Sequence, residues 1–131
     1  MISVDSSVVV RYLVGTPSAQ ADRARALMDD SEQVGIPTVV LLESAHVLRT
    51  QYGVERRDVL DTTIELLTRD NMHVLGATTN SVVEALVRAR GLPGAPLPDA
   101  LVAAIVRDTG AMPLYTFVRE SFRHGIPVRE P

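Results

Sequence analysis

Three acidic residues in this 131-residue sequence, Asp5, Glu43 and Asp99, have the type and placement that chemistry needs. Asp5 closes the short apolar run Ile2-Ser3-Val4, where a strand gives way to a helix. Aspartate is also a favoured helix cap, so position alone leaves both roles open. Glu43 lies within Val39-Val40-Leu41-Leu42-Glu43-Ser44-Ala45-His46-Val47-Leu48, with Val40 and Val47 on its side of a helix. A carboxylate on so apolar a face incurs a desolvation cost unless a cation or a hydrogen-bond donor meets it. Asp99 follows Pro98 and precedes Ala100-Leu101-Val102-Ala103-Ala104-Ile105-Val106, where an acid also suits the positive end of a helix dipole.

Should the three converge, bare carboxylates about 5 Å apart repel by roughly 3 kcal/mol per pair at an effective dielectric near 20. Such a cluster requires a proton or a cation. Hard oxygen donors without cysteine or histidine ligands select Mg²⁺ or Mn²⁺ over zinc. With phosphate these ions suit phosphodiester cleavage, activating water and stabilising charge on the phosphorus oxygens.

Composition removes most competing chemistries. There is no cysteine, which excludes thiol nucleophiles, disulfides and Cys-ligated metal sites. All 13 basic residues are arginine, so a lysine-dependent phosphate loop and Schiff-base catalysis are excluded as well. The absence of lysine also removes a phospho-receiver domain, the other acid-clustering α/β class, which needs a lysine near the end of its sheet. Aromatics are 4% with no tryptophan, too few for a base-stacking platform. A net charge of −3 argues against a polybasic nucleic-acid binder, so RNA contacts must come from local charge. Arg49, Arg56 and Arg57 give such a patch, with a net charge of +2 between residues 49 and 57. His46, His73 and His124 show no ligand spacing, and His73, in or beside a strand, reads as structural. No basic leader precedes an apolar stretch and no apolar run approaches the ~20 residues of a membrane span, so a cytoplasmic protein is expected.

The elements that must position these residues alternate along the chain. Short strands are expected at Ile2 to Val4, Val34 to Pro37, His73 to Leu75, Met112 to Phe117 and Ile126 to Val128. Between them, helices are expected from Ser6, from about Ala19 to Asp30 with Ser18 as cap, and from about Val39 to Tyr52 with Thr38 as cap. Further helices run from Glu55 to Arg69, Ser81 to Arg90 and Pro98 to Thr109, and the second helix should bury Ala24, Leu27 and Met28. Gly91-Leu92-Pro93-Gly94-Ala95-Pro96-Leu97 reads as a loop. Such alternation implies one α/β domain over 1–131 with a mainly parallel sheet covered by helices, and its site beyond the carboxyl ends of the strands.

Four segments in order carry a family resemblance: Ile2-Ser3-Val4-Asp5-Ser6-Ser7-Val8, the Glu43 helix after Ile36-Pro37-Thr38, Leu97-Pro98-Asp99-Ala100-Leu101, and Pro113-Leu114-Tyr115-Thr116-Phe117. Together they resemble a PIN domain, and more narrowly the VapC toxins of type II toxin–antitoxin pairs. The resemblance implies a three-layer α/β/α fold and Mg²⁺- or Mn²⁺-dependent endoribonuclease activity on transfer or ribosomal RNA. It also implies a homodimer and inhibition by a small VapB-like antitoxin. Asp5, Glu43 and Asp99 match the family's first three acids, Ser7 its small polar position and Thr116 its strand-end hydroxyl. The sequence departs at Val118, where the family usually has an aspartate. Glu120 would substitute only if the chain there is extended. Asp108, about 900° around the helix from Asp99, faces away. The alternative is a degenerate, non-cleaving PIN-like module that binds RNA or protein.

Overall fold

The computed structural model describes residues 1–95, 97–110, 112–115 and 125–129. Among these the chain runs β1 (Ile2–Ser3), α1 (Ser6–Val14), α2 (Ser18–Asp30), β2 (Val34–Pro37), α3 (Thr38–Thr50), α4 (Arg56–Leu67) and β3 (Met72–Leu75). It continues through α5 (Thr79–Arg90), α6 (Leu97–Thr109), β4 (Leu114–Tyr115) and β5 (Val128–Arg129). This is an α/β fold built on a parallel sheet. Strands lie in the order β1-β2-β3, with Ile2 opposite Val34 and Val34 opposite Met72. β4 and β5 form a second parallel pair, Leu114 opposite Val128.

Alternate residues of β2 and β3 place Val34, Ile36, Met72 and Val74 in the core. Gly35 between them marks a close approach: a Cβ there would stand 2.9 Å from Leu75 Cδ1 and 3.1 Å from Met1 Sδ. Met28, Leu60, Leu86 and Leu101 bring helices onto the same core and are fully buried. Each such side chain contributes about 1.5–3 kcal/mol by leaving water. His73 lies within β3, half-buried. No helix among the described residues is long and apolar enough to cross a membrane.

Helix caps differ from expectation in two places. Ser18 and Thr38 are the first residues of α2 and α3, and the cap positions belong to Pro17 and Pro37, neither with a side-chain cap. The proline rings preset φ at −63° and −59°, and each chain enters its helix from extended backbone without needing a capping oxygen. Leu27 is a second correction: it is 44% exposed, and α2 buries Ala21, Ala24 and Met28. Position 27 lies about 100° from 28 around the helix, at the edge of that stripe.

Candidate active site

Asp5 lies between β1 and α1 in extended backbone and caps α1. Its Oδ1 accepts the Ser7 N–H at 3.0 Å, the Ser7 hydroxyl at 2.6 Å and the Val8 N–H at 3.3 Å. The Ser7 hydroxyl, then the Val8 N–H, hold the carboxyl below the usual carboxylate range, with a smaller contribution from the Arg11 guanidinium. All three bonds fall on one oxygen. Oδ2 has no hydrogen bond among the described residues and keeps its acceptor capacity. α1 ends at Gly15, whose φ of +79° lets its N–H reach the Arg11 carbonyl at 2.9 Å.

Glu43 corrects the expectation of a carboxylate on an apolar face, because it is exposed. The buried stripe of α3 is Val40, Leu41, Ser44, Ala45 and Leu48, and position 43 falls about 130° from its centre at 100° per residue. What holds Glu43 is a hydroxyl: Ser6 donates to its Oε2 at 2.5 Å. Sequence reasoning gave Ser6 only the opening of a helix. No local spacing links it to a residue in another helix, and the adjoining Ser7 offered the more obvious hydroxyl. Ser6 therefore ties the helix capped by Asp5 to the carboxylate of α3.

Asp99 is half-buried in the first turn of α6 and makes no hydrogen bond or ion pair among the described residues. Its helix packs on α3, and Pro98 and Leu97 line one cavity with Leu42, the neighbour of Glu43. The structure thus connects α1 to α3 through a hydrogen bond and α3 to α6 through packing. It does not gather the three carboxylates: among the described residues, no three acidic or histidine side chains are grouped closely enough to hold an ion. As a donor set, however, the three are hard oxygens, and Asp5 and Asp99 retain uncommitted ones, the type that suits Mg²⁺ or Mn²⁺. Thr116, Val118 and Glu120 lie outside the described residues.

Arg56 departs from the expected RNA patch. Its guanidinium is half-buried and donates to the carbonyls of Ala89 at 3.3 Å, Leu92 at 3.3 Å and Ala95 at 2.7 Å. It bridges the end of α5 and the loop residues Leu92 and Ala95. Arg49 and Arg57 are exposed and form no ion pair or hydrogen bond among the described residues. Asp108 stands apart from the acids: its carboxylate receives the Thr78 N–H at 2.6 Å and the Ser81 hydroxyl at the start of α5.

The profile of the PIN domain matches residues 2–119, nearly the whole chain. The protein belongs to the PIN-domain family, whose members are generally metal-dependent nucleases and usually bind divalent metals. No curated protein and no solved structure matches the chain.

Proposed function

We propose that the protein is a metal-dependent endoribonuclease and the toxin of a VapBC-type pair, cleaving transfer or ribosomal RNA. The observation that carries this reading is the Asp5 carboxylate, held anionic on one oxygen by the start of α1 and open on the other. Membership of the PIN family supplies the reaction class. A divalent ion held by Asp5, Glu43 and Asp99 would supply an activated water and neutralise charge on the scissile phosphate. Ser7 and the α1 amides keep Asp5 deprotonated, and Ser6 holds Glu43 on the α1 side of α3. Arg56 holds the α5–α6 loop, and with it the first turn of α6.

The partners proposed are a small VapB-like antitoxin, an RNA substrate and a second copy of the chain, and the compartment is the cytoplasm. Protein freed of antitoxin should cleave RNA with Mg²⁺ or Mn²⁺ and stop in EDTA. Equal cleavage in EDTA refutes the carboxylate–metal reading. Full nuclease activity in complex with the antitoxin refutes the toxin assignment. A second reading, a non-cleaving PIN-like module, is favoured by Val118 at the usual position of a fourth acid and by the ungrouped carboxylates. It requires RNA or protein binding with no cleavage in any divalent metal.

A further inference from the structure

A half-open cavity of about 340 Å³ lies where α3, α4 and the start of α6 meet. Leu42, Ala45, Val59 and Leu97 give it an apolar floor. His46 and Arg49, both exposed, stand at its rim with the half-buried Arg56. Among the described residues, none that lines it is acidic, although the chain as a whole carries −3. Its two guanidiniums differ in kind. Arg56 is committed to three carbonyls, whereas Arg49 makes no hydrogen bond or ion pair among the described residues.

An apolar floor beneath an uncommitted guanidinium complements a ligand that is flat and apolar on one side and anionic on the other. A nucleotide has that shape, with a base to bury and a phosphate that an arginine fork grips with two donors. The volume lies in the range of small-ligand sites. Two of its lining residues, Leu42 and Pro98, are the chain neighbours of Glu43 and Asp99. We propose that it binds one nucleotide of the RNA next to the bond that is cut, the base over Ala45 and Leu97 and a backbone phosphate on Arg49. The proposal rests on the ribonuclease reading and adds to it the place where substrate is gripped. It also separates the arginines expected to meet RNA: Arg49 grips, and Arg56 builds the wall.

The test uses full-length protein, wild type, Arg49→Ala and Ala45→Leu, the last filling the floor. Binding of a short oligoribonucleotide is titrated in EDTA, and cleavage is then measured with Mg²⁺. Losing a bond to a charged phosphate should weaken oligonucleotide binding about tenfold in Arg49→Ala. The loss in cleavage should fall on KM rather than kcat. Arg49 is exposed, so this variant reports on binding even if Ala45→Leu fails to fold. Metal-dependent cleavage with unchanged KM and unchanged oligonucleotide affinity in Arg49→Ala overturns the nucleotide site and leaves the nuclease standing. Arg49-dependent binding by a protein that cleaves nothing overturns the nuclease and leaves the site. Variants that alter dimer mass or antitoxin capture, with oligonucleotide affinity intact, make the cavity a protein interface and overturn the proposal.

Discussion

Asp5 and Asp108 meet two helices in nearly the same way. Each accepts a serine hydroxyl and a backbone N–H where a helix starts, α1 and α5 respectively. Each is held below the usual carboxylate range, first by the serine hydroxyl and then by a backbone amide. They differ in which oxygens do the accepting. Asp108 reaches over from the end of α6 and spends both oxygens, Oδ1 on Ser81 and Oδ2 on Thr78. Asp5 caps its own helix and gathers all three donors on Oδ1. A depressed pKa is therefore common to both and distinguishes neither. The difference is that Asp5 keeps one oxygen, Oδ2, without a donor among the described residues, which leaves it open to a ligand, whereas both oxygens of Asp108 are engaged.

The sharpest way to break this comparison is Asp5→Asn. Asparagine caps a helix about as well as aspartate, so thermal stability should change little. On the proposed nuclease reading, loss of the anionic charge should lower RNA cleavage by about 10²–10⁴-fold, the rate equivalent of a few kcal/mol of lost charge stabilisation. Initial rates alongside a thermal melt check both halves. Retained cleavage would place Asp5 with Asp108 as a fastener only.

Arg56→Met extends the comparison to the third acid. It strips a donor from three carbonyls at the end of α5 and in the loop before α6. Ala89 and Leu92 keep the backbone N–H groups of Leu92 and Ala95, and the Ala95 carbonyl loses its side-chain donor, at a cost of about 1–3 kcal/mol. Urea denaturation should show that loss, with a weaker metal response from displacement of Asp99. A smaller effect is expected from Ser6→Ala. Glu43 would lose the Ser6 bond, and the Mg²⁺ midpoint of cleavage should rise several-fold with the fold intact, a shift of about 1 kcal/mol. An unmoved midpoint would mean that Ser6 merely touches Glu43.

The smallest effect concerns Asp108 and pH. Because its folded pKa is depressed, Asp108 stays ionised in the native protein where the unfolded chain takes up a proton. Its stabilisation is complete above the unfolded value near pH 4 and is lost as pH falls through the lower folded value. Asp108→Asn should thus melt slightly below wild type at neutral pH, and the gap should close well below pH 4. Cleavage by Asp108→Asn should match wild type throughout.

Local signals made much of this legible before any coordinates. β2 spans the four residues that Val34-Gly35-Ile36-Pro37 suggested, and Gly91 and Gly110 follow α5 and α6 as expected. The capping role of Asp5 could be read from its neighbours because a cap is a contact over two or three residues. Three features were not legible, each for a tertiary reason. Glu43 is exposed because the part of α3 that faces inward depends on which helices pack against it. Ser6 meets Glu43, and Arg56 meets the loop after α5, across sequence distances that no periodicity reports. Arg56 and Arg57 look identical as residues, and only the fold separates a half-buried clamp from a solvated charge.

The register of the parallel sheet carries a consequence for synthesis. Ile2 has no strand to pair with until Val34 has emerged, and Val34 then waits for Met72. Parallel pairing of this kind bears its loop-closure cost before any ladder bond forms, so the sheet is the late event and the helices the early ones. α1 and its Asp5 cap need only neighbouring residues and are available on a nascent chain. The bond from Ser6 to Glu43 needs α3 beside α1, and the Arg56 bonds need the chain as far as Ala95. A ribosome-bound fragment that ends before α6 would thus carry the capped Asp5 and lack the segment that bears Asp99.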